Sequence, residues 1–186
     1  MINFRAKFHS IEYIQNLTPQ NQWVRKAASF VELTPDSDRD VSSLRETAYL
    51  WNAEFPERQV YYNTFATDMM RDIYFDKYTK MYRFFALTNQ FQNFENLDSD
   101  KILGLVQIKE KSPKLNEIVY LQTEPQNMHG EARQKYKYIG STIIDALRNL
   151  FPFRDIELNP IDSSYQFYKK YGFKDLPETR FLRYFA

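Results

Sequence analysis

The spacing of hydrophobic and polar positions divides the chain into predicted strands and predicted helices. Apolar residues recurring every three or four positions predict helices over Val41–Ala53, Asn63–Thr79 and Lys137–Leu150. Short apolar or alternating runs predict strands over Lys26–Leu33, Met81–Leu87, Ile102–Lys109, Glu117–Thr123 and Asp155–Leu158. The polar run between residues 88 and 100 fits a loop. Strands and helices are therefore interspersed along the chain, which is typical of a mixed α/β fold.

The last two predicted strands are the most informative pair. The helix Lys137–Leu150 joins Glu117–Thr123 to Asp155–Leu158, so these strands must be parallel. Ligands of open α/β sheets collect at the carboxyl ends of parallel strands, especially where neighbours splay apart. A ligand site is therefore expected beyond Thr123, close to the start of the following helix.

The chain length predicts one main domain. With 186 residues, of which 43% are hydrophobic and 17% aromatic, there is enough apolar surface for a single compact core. The first residues have mixed character and could form a strand or a short helix at the edge of the domain. We therefore expect residues 1–24 to be an N-terminal extension packed on a single domain that spans residues 25–186.

Charge and residue usage exclude several classes of site. The 25 basic residues nearly balance the 24 acidic ones, so no broad field for polyanions is implied and a nucleic-acid partner is not expected. Without cysteine, the chain has no disulfide and no thiolate nucleophile or metal ligand, and His129 alone is poor evidence for a metal site. No stretch of about 18 apolar residues or signal-like segment occurs, so we expect a cytoplasmic protein without a membrane partner.

Two of the four glycines stand in informative places. Gly140 lies in the run from Lys135 to Ser141, between the strand Glu117–Thr123 and the helix that follows. Backbone N–H groups at a helix start can hold phosphate, and no acidic residue lies between positions 132 and 142. Gly172 lies in a second run, Phe167 to Phe173, at the close of a short predicted helix. The first run is therefore a candidate anion site.

These runs resemble the signature of the GCN5-related N-acetyltransferase (GNAT) superfamily over roughly residues 101–173. The superfamily has Arg/Gln-x-x-Gly-x-Gly/Ala after its fourth core strand, and here Lys135, Tyr138 and Gly140 stand at the Arg/Gln and two glycine positions. A Phe-Tyr-x-x-x-Gly-Phe-like run follows later in the family, as it does from Phe167 here. Tyr138 is the main departure, because a Cβ makes positive φ costly.

The resemblance implies a centrally splayed, mixed sheet with helices on both faces, and acetyl-CoA as the co-substrate. The pantetheine arm would pair with the backbone of the splayed strand like an added strand. The pyrophosphate would meet the N–H groups after Lys137, with lysine charges and the Ser141 hydroxyl nearby. The implied acetyl-CoA residues are Leu121, Gln122, Thr123, Lys135, Tyr136, Lys137, Tyr138, Ile139, Gly140, Ser141, Thr142 and Asn159.

Acetyl transfer to an amine needs three catalytic groups: a proton donor, an oxyanion stabiliser and a general base, and the resemblance suggests where they lie. Tyr168 would protonate the departing thiolate, although a tyrosine spaced helically from Tyr165 and Tyr171 is also typical of plain packing. A backbone N–H around Gln122 or Thr123 would stabilise the oxyanion. Glu117 would act as general base through water, with Glu124 or water alone as the alternatives.

Three functions are compatible with these residues. The first is direct transfer of an acetyl group from acetyl-CoA to a primary amine of unknown identity, in a ternary complex. The second is a degenerate GNAT-fold interaction module with weak or no CoA binding, which Tyr138 favours. The third is a toxin-like enzyme acting on aminoacylated RNA, against which the net charge of +1 counts. A homodimer is compatible with all three.

Overall fold

The computed structural model describes residues 6–54, 81–127 and 134–186. Its strands are β1 (Lys7–Leu17), β2 (Trp23–Leu33), β3 (Tyr82–Thr88), β4 (Ile102–Ser112), β5 (Leu115–Thr123), β6 (Tyr136–Lys137), β7 (Asp155–Leu158), β8 (Lys174–Asp175) and β9 (Leu182–Tyr184). Its α-helices are α1 (Asp38–Glu54), α2 (Ile139–Leu150) and α3 (Tyr165–Lys170). The predicted helix Asn63–Thr79 lies outside the described residues.

These strands make one sheet in the order β6-β1-β2-β3-β4-β5-β7-β9-β8. Neighbours are antiparallel except β5 and β7, which are parallel. The parallel pairing confirms the orientation expected from the connecting helix, α2. It also places the carboxyl ends of β5 and β7 at the same edge of the sheet, where the ligand site is predicted.

The sheet splays between β5 and β7. Their pairing runs from Leu115 with Asp155 to Ile118 with Leu158 and ends there, while β5 continues to Thr123. The continuation pairs only with β4 among the described strands. A bulge occurs at the branch point, because Ile118 and Tyr120 face consecutive β4 residues and Val119 is the extra residue. The predicted central splay is confirmed, and the bulge turns β5 away from β7.

Helices cover both faces of the sheet, as predicted. On one face, buried α2 residues such as Ile143 and Leu147 form a core with Phe85, and Tyr168 of α3 belongs to it. On the other face, Leu44 and Trp51 of α1 belong to a second core. We call these the α2 face and the α1 face. Successive side chains of a strand point to opposite faces of the sheet. The position of a residue in its strand therefore decides whether its side chain lies on the α1 face or on the α2 face.

Close packing of α2 on β4 depends on Gly104. A Cβ on Gly104 would lie 2.7 Å from Ile143 Cδ1 and 2.8 Å from Ile139 Cγ2. Both distances are shorter than side-chain contacts allow, so the bare backbone of β4 lets the first turn of α2 approach the sheet. The first turn of α2 is thereby held close to β4 at the level where Gly104 pairs with Thr123, the last residue of β5.

The predicted N-terminal extension contains a strand, one of its two predicted forms, but its boundary needs correction. Residues 7–17 form β1, which pairs with β2 along most of its length, and residue 24 lies inside β2. The predicted boundary therefore does not follow a break in the sheet, and the first strand is β1 rather than Lys26–Leu33. The apolar residues Phe8, Ile11 and Ile14 are spaced by three, which leaves a strand and a short helix equally open, and of the three only Ile14 is buried. A register shift between Phe8 and Ser10 interrupts the side-chain alternation at the start of β1.

Among the described residues, no helix is both long and apolar enough to cross a membrane.

Candidate functional site

The splayed end of β5 meets the start of α2 and one face of α3 at Gly140. A Cβ added to Gly140 would have Phe167 Cζ at 3.4 Å, Leu121 Cδ2 at 3.7 Å and Thr123 Cγ2 at 3.8 Å as its nearest side-chain atoms. Three segments that the sequence assigned to one site therefore come together around this glycine. Gly172 closes α3 with a φ of 85°, a conformation that glycine adopts without strain.

Tyr138 occupies the backbone conformation for which glycine is the usual residue. It caps the N-terminus of α2 with φ 68° and ψ 15°, in the left-handed region. Its side chain is 56% exposed. The tyrosine thus has the turn geometry that the family glycine would provide, at a cost of roughly 1–2 kcal/mol for a non-glycine residue. A tyrosine at this glycine position of the signature therefore still allows the turn that leads into α2.

The first turn of α2 offers backbone donors for an anion. A helix leaves its first N–H groups without intrahelical partners, here those of Ile139, Gly140 and Ser141. The Ser141 hydroxyl donates to the Tyr138 carbonyl at 2.9 Å. Thr142 donates its amide to the same carbonyl at 2.8 Å and its hydroxyl to the Tyr13 carbonyl at 3.1 Å. Both donors of Thr142 are in use, which argues against the predicted contact with acetyl-CoA.

Asn127 fastens the segment that leads into α2. Its Oδ1 accepts the amides of Lys135 (3.0 Å) and Tyr136 (2.8 Å), and its backbone carbonyl accepts from the Gln134 side chain at 3.0 Å. Its Nδ2 donates to the Glu124 carboxylate. The Asn127 side chain is buried and sits just after β5. One residue thus ties the end of β5 to the start of β6.

The short strand β6 was not predicted, and it gives a structural role to two residues that were predicted to contact acetyl-CoA. Tyr136 and Lys137 pair with β1 instead of continuing into α2. The Tyr136 side chain is buried, and its hydroxyl oxygen lies 3.3 Å from Lys26 Nζ and 3.1 Å from Asn89 Nδ2. The Tyr136 ring therefore belongs to the core. Side-chain contact with acetyl-CoA, as implied by the family pattern, is not available to it.

The predicted phosphate-binding lysines differ in their surroundings. Lys135 is exposed, with its Nζ 5.4 Å from the centroid of the Tyr136 ring. Lys137 places its Nζ only 3.9 Å from the Trp23 ring, a cation–π contact with β2. Ile139 is buried beside Gly104, so only its backbone can face a ligand. Lys135 is therefore the better placed of the two lysines to reach an anion.

Tyr168 is buried in the core of the α2 face. It directly follows Phe167, the residue whose ring lies nearest to Gly140. Its ring packs edge-on against Phe167 at 5.0 Å and Phe173 at 5.6 Å between centroids. Burial raises the pKa of the Tyr168 phenol to about 12. The hydroxyl therefore stays protonated at every physiological pH, as a hydrogen-bond donor must, while the ring also has the packing role expected from its helical spacing.

Glu117 lies one residue before the last β5–β7 pair and opposite Glu157. Lys111 Nζ lies 3.7 Å from Glu117 and 2.5 Å from Glu157, and Arg183 Nη2 lies 2.6 Å from Glu157. Burial alone would raise the pKa of Glu157, but the hydrogen bonds from Lys111 and Arg183 outweigh it and hold that pKa below its usual value. Glu117 thus stands beside a structural ion cluster at the vertex of the splay.

Glu124, the alternative general base, is hydrogen-bonded to the segment that directly follows β5. Its carboxylate accepts hydrogen bonds from Gln126 and Asn127, and its amide donates to the Leu103 carbonyl at 2.8 Å. These contacts fix the chain as it leaves β5. Asn159, by contrast, is exposed and directly follows β7, across the splay from the end of β5. Its position is open to a ligand between the two strands.

The sequence matches no protein-family model and no curated protein. Solved structures do match. Tetrahymena GCN5 superimposes with a TM-score of 0.53 at 12% identity, covering 83% of this chain and 93% of that chain. AtaTR bound with AcCoA gives 0.52 at 14% identity over 84% and 92%. AtaT complexed with acetyl-methionyl-tRNAfMet gives 0.50 at 13% identity over 84% and 94%. At such low identity, these likenesses show a shared fold.

Proposed function

The protein has the fold of the GCN5-related N-acetyltransferase superfamily, and we propose that it transfers an acetyl group from acetyl-CoA to a primary amine. The observation that carries this proposal is the meeting of β5, α2 and α3 around Gly140. There an open strand edge, a helix start and an exposed lysine adjoin one another, as an extended ligand with a pyrophosphate group requires.

The ligand would be held along β5 and at the start of α2. Beyond Ile118, β5 pairs only with β4 among the described strands, so the pantetheine arm could pair with Leu121–Thr123 from the β7 side. The pyrophosphate would accept from the N–H groups of Ile139, Gly140 and Ser141, and Lys135 would add charge. Asn159, at the end of β7, borders the same opening.

In the proposed reaction, the amine nitrogen attacks the thioester carbonyl carbon. A C–N bond forms, the C–S bond breaks, the nitrogen loses a proton and the thiolate sulfur gains one. A backbone N–H around Gln122 or Thr123 would stabilise the oxyanion while both groups are attached. Tyr168 would donate to the sulfur. Because the pKa of its phenol is about 12, it starts as a neutral donor that strengthens its hydrogen bond as charge develops.

The amine must be neutral to attack. An alkylamine with a pKa near 10.4 is neutral only about once in 2,500 molecules at pH 7. We assign proton removal to Glu117 through water, because Glu124 is bound by two amide side chains. Glu117 lies on the α1 face at the vertex of the splay, with Tyr120 between it and Gln122 on that face. A carboxylate there faces the side of the sheet opposite α2.

Acetyl-CoA binding tests the proposal directly. We expect calorimetry to detect binding by the wild-type protein, and Lys135→Ala to weaken it about 5- to 30-fold, the scale of one charge-assisted hydrogen bond. Lys7→Ala removes an exposed lysine at the start of β1 and should leave the affinity unchanged. No binding by the wild-type protein at millimolar acetyl-CoA and moderate salt would exclude the acetyltransferase and favour an interaction module.

Replacing Tyr138 with glycine should stabilise the protein. The variant removes a strained left-handed tyrosine whose side chain is mostly exposed, and this gain offsets the conformational entropy of glycine. Thermal unfolding should show an equal or higher Tm, and calorimetry should show tighter acetyl-CoA binding if the side chain obstructs the phosphate. Tyr138→Ala keeps the strain but loses the ring. Tighter binding in both variants would identify the ring as the obstacle, whereas weaker binding in both would make it part of the site.

A further inference from the structure

The side-chain amide of Gln122 is enclosed and unpaired at the splay. Both Nε2 and Oε1 are buried, and neither has a hydrogen-bond partner in the part of the chain that the structure describes. The neighbouring amide of Gln126, by comparison, donates to Glu124 at 2.5 Å. A buried polar group without a partner costs roughly 1–3 kcal/mol, so native proteins rarely keep one without a use.

The position of this amide points to the acceptor. After the bulge at Val119, Leu121 joins the core of the α2 face, and its Cδ2 approaches Gly140. Strand alternation then sends Gln122 to the α1 face, where its partner across β4, Leu105, belongs to the α1-face core. The backbone of Gln122 is proposed to hold the thioester arm. Its side chain therefore projects from the α1 face, next to the strand edge that the thioester arm would occupy, and a second substrate would approach the thioester from that face.

The chemistry of an amide restricts what can satisfy it. Oε1 accepts and Nε2 donates, and the two atoms lie side by side. An alkylamine could donate an N–H to Oε1 but would leave Nε2 without an acceptor. A compound with a carbonyl next to its amine could satisfy both atoms, and the nitrogen lone pair would remain free to attack.

We propose that the acceptor is an α-aminoacyl compound, whose amine donates to Gln122 Oε1 and whose adjacent carbonyl accepts from Gln122 Nε2. This inference rests on the proposed acetyltransferase function and identifies its substrate class. Gln122 becomes an acceptor-binding residue whose side chain contributes specificity, separate from the backbone contact with acetyl-CoA. The benefit appears only with substrate bound, so the free protein carries the cost of the unpaired amide.

The test compares amino-acid amides with amines that lack the carboxamide. Release of the CoA thiol is followed with the amides of the natural amino acids, each paired with the corresponding alkylamine, in wild type and in Gln122→Met. Methionine has nearly the shape of glutamine without its polar atoms. We expect the wild-type preference in kcat/KM for the best amide over its amine to fall at least tenfold in Gln122→Met. The lower amine pKa of the amides affects both proteins equally and cancels in this comparison.

Stability and binding provide the second readout. Gln122→Met should keep the acetyl-CoA affinity and show an equal or higher Tm, because it removes two unpaired buried groups. Gln15→Met changes a glutamine on β1 and should alter none of these quantities. An unchanged preference in Gln122→Met, or a lower Tm, would overturn the inference. So would a wild-type protein that binds acetyl-CoA but acetylates none of the amides; a protein that does not bind acetyl-CoA at all refutes the acetyltransferase itself.

Discussion

Replacing Tyr168 with phenylalanine should lower turnover by about 10²–10⁴, the usual scale of general acid–base assistance, without unfolding the protein. Phenylalanine keeps the ring that packs against Phe167 and Phe173 and removes only the hydroxyl. The loss should appear in kcat, since the hydroxyl acts as the C–S bond breaks. The acetyl-CoA affinity should remain, because the pantetheine and pyrophosphate contacts lie on β5 and α2.

Tyr165→Phe is the matched control for this variant. Tyr165 belongs to the same short helix, but its hydroxyl donates to Asp175 at 2.6 Å on the surface. Steady-state rates with an amino-acid amide, calorimetry and thermal unfolding should be measured for both variants and the wild type. Equal turnover and equal stability in Tyr168→Phe would return Tyr168 to a packing role and leave thiolate departure to water.

The pH profile should separate Tyr168 from the general base. The pKa of about 12 keeps the phenol protonated throughout the usual assay range, so it should cause no loss of rate up to about pH 10. The rate should instead rise with pH as the acceptor amine becomes neutral. A loss of rate near pH 9 that is absent in Tyr168→Phe would mean that the phenol ionises far more readily than its burial implies.

The central unit of the fold could be predicted because local patterns and topology agree there. The apolar spacing of α2 is strongly helical, and a helix between two strands of one sheet forces them to be parallel. β7 has the predicted bounds and α2 begins two residues later than expected. The resemblance to a known signature then predicted the splay, which the structure confirms, and an anion site at the start of α2, which stays a prediction.

The short strands β6, β8 and β9 were not predicted, because each has only two or three residues and is stabilised by its partners in the sheet. β6 is two residues long and exists because Tyr136 and Lys137 pair with β1, more than a hundred positions earlier. β1 itself has a register shift that disturbs the alternation of its side chains. Short strands of this kind carry no period of their own, so only the assembled sheet reveals them.

Side-chain roles within the site were the least predictable part. The pattern assigned Thr142 to the ligand, yet both of its donors are used inside the protein. It assigned only a backbone role to Gln122, whose enclosed amide is a separate feature. The Asn127 side chain was assigned no role, because hydrogen bonds from a side chain to a distant backbone leave no periodic trace. Its preference for turns was the one available signal.

Asn127→Ala should therefore produce the largest structural effect at the site. The variant removes the acceptor for the amides of Lys135 and Tyr136 and the donor to Glu124. Leaving such groups unpaired should lower the free energy of unfolding by roughly 2–4 kcal/mol. Because the same contacts connect the end of β5 to β6 and α2, the acetyl-CoA affinity should fall at least tenfold in the protein that remains folded.

Gln126→Ala is the control that separates the hydrogen bonds of Asn127 to Lys135 and Tyr136 from its shared contact with Glu124. It removes one hydrogen bond to Glu124 and leaves the bonds of Asn127 to Lys135 and Tyr136 in place, so it should cost about 1 kcal/mol or less. Denaturant unfolding and calorimetry on both variants, at a temperature where both are folded, would measure the two effects. If Asn127→Ala matched Gln126→Ala in stability and in acetyl-CoA affinity, the bonds to Lys135 and Tyr136 would not be what positions the start of α2.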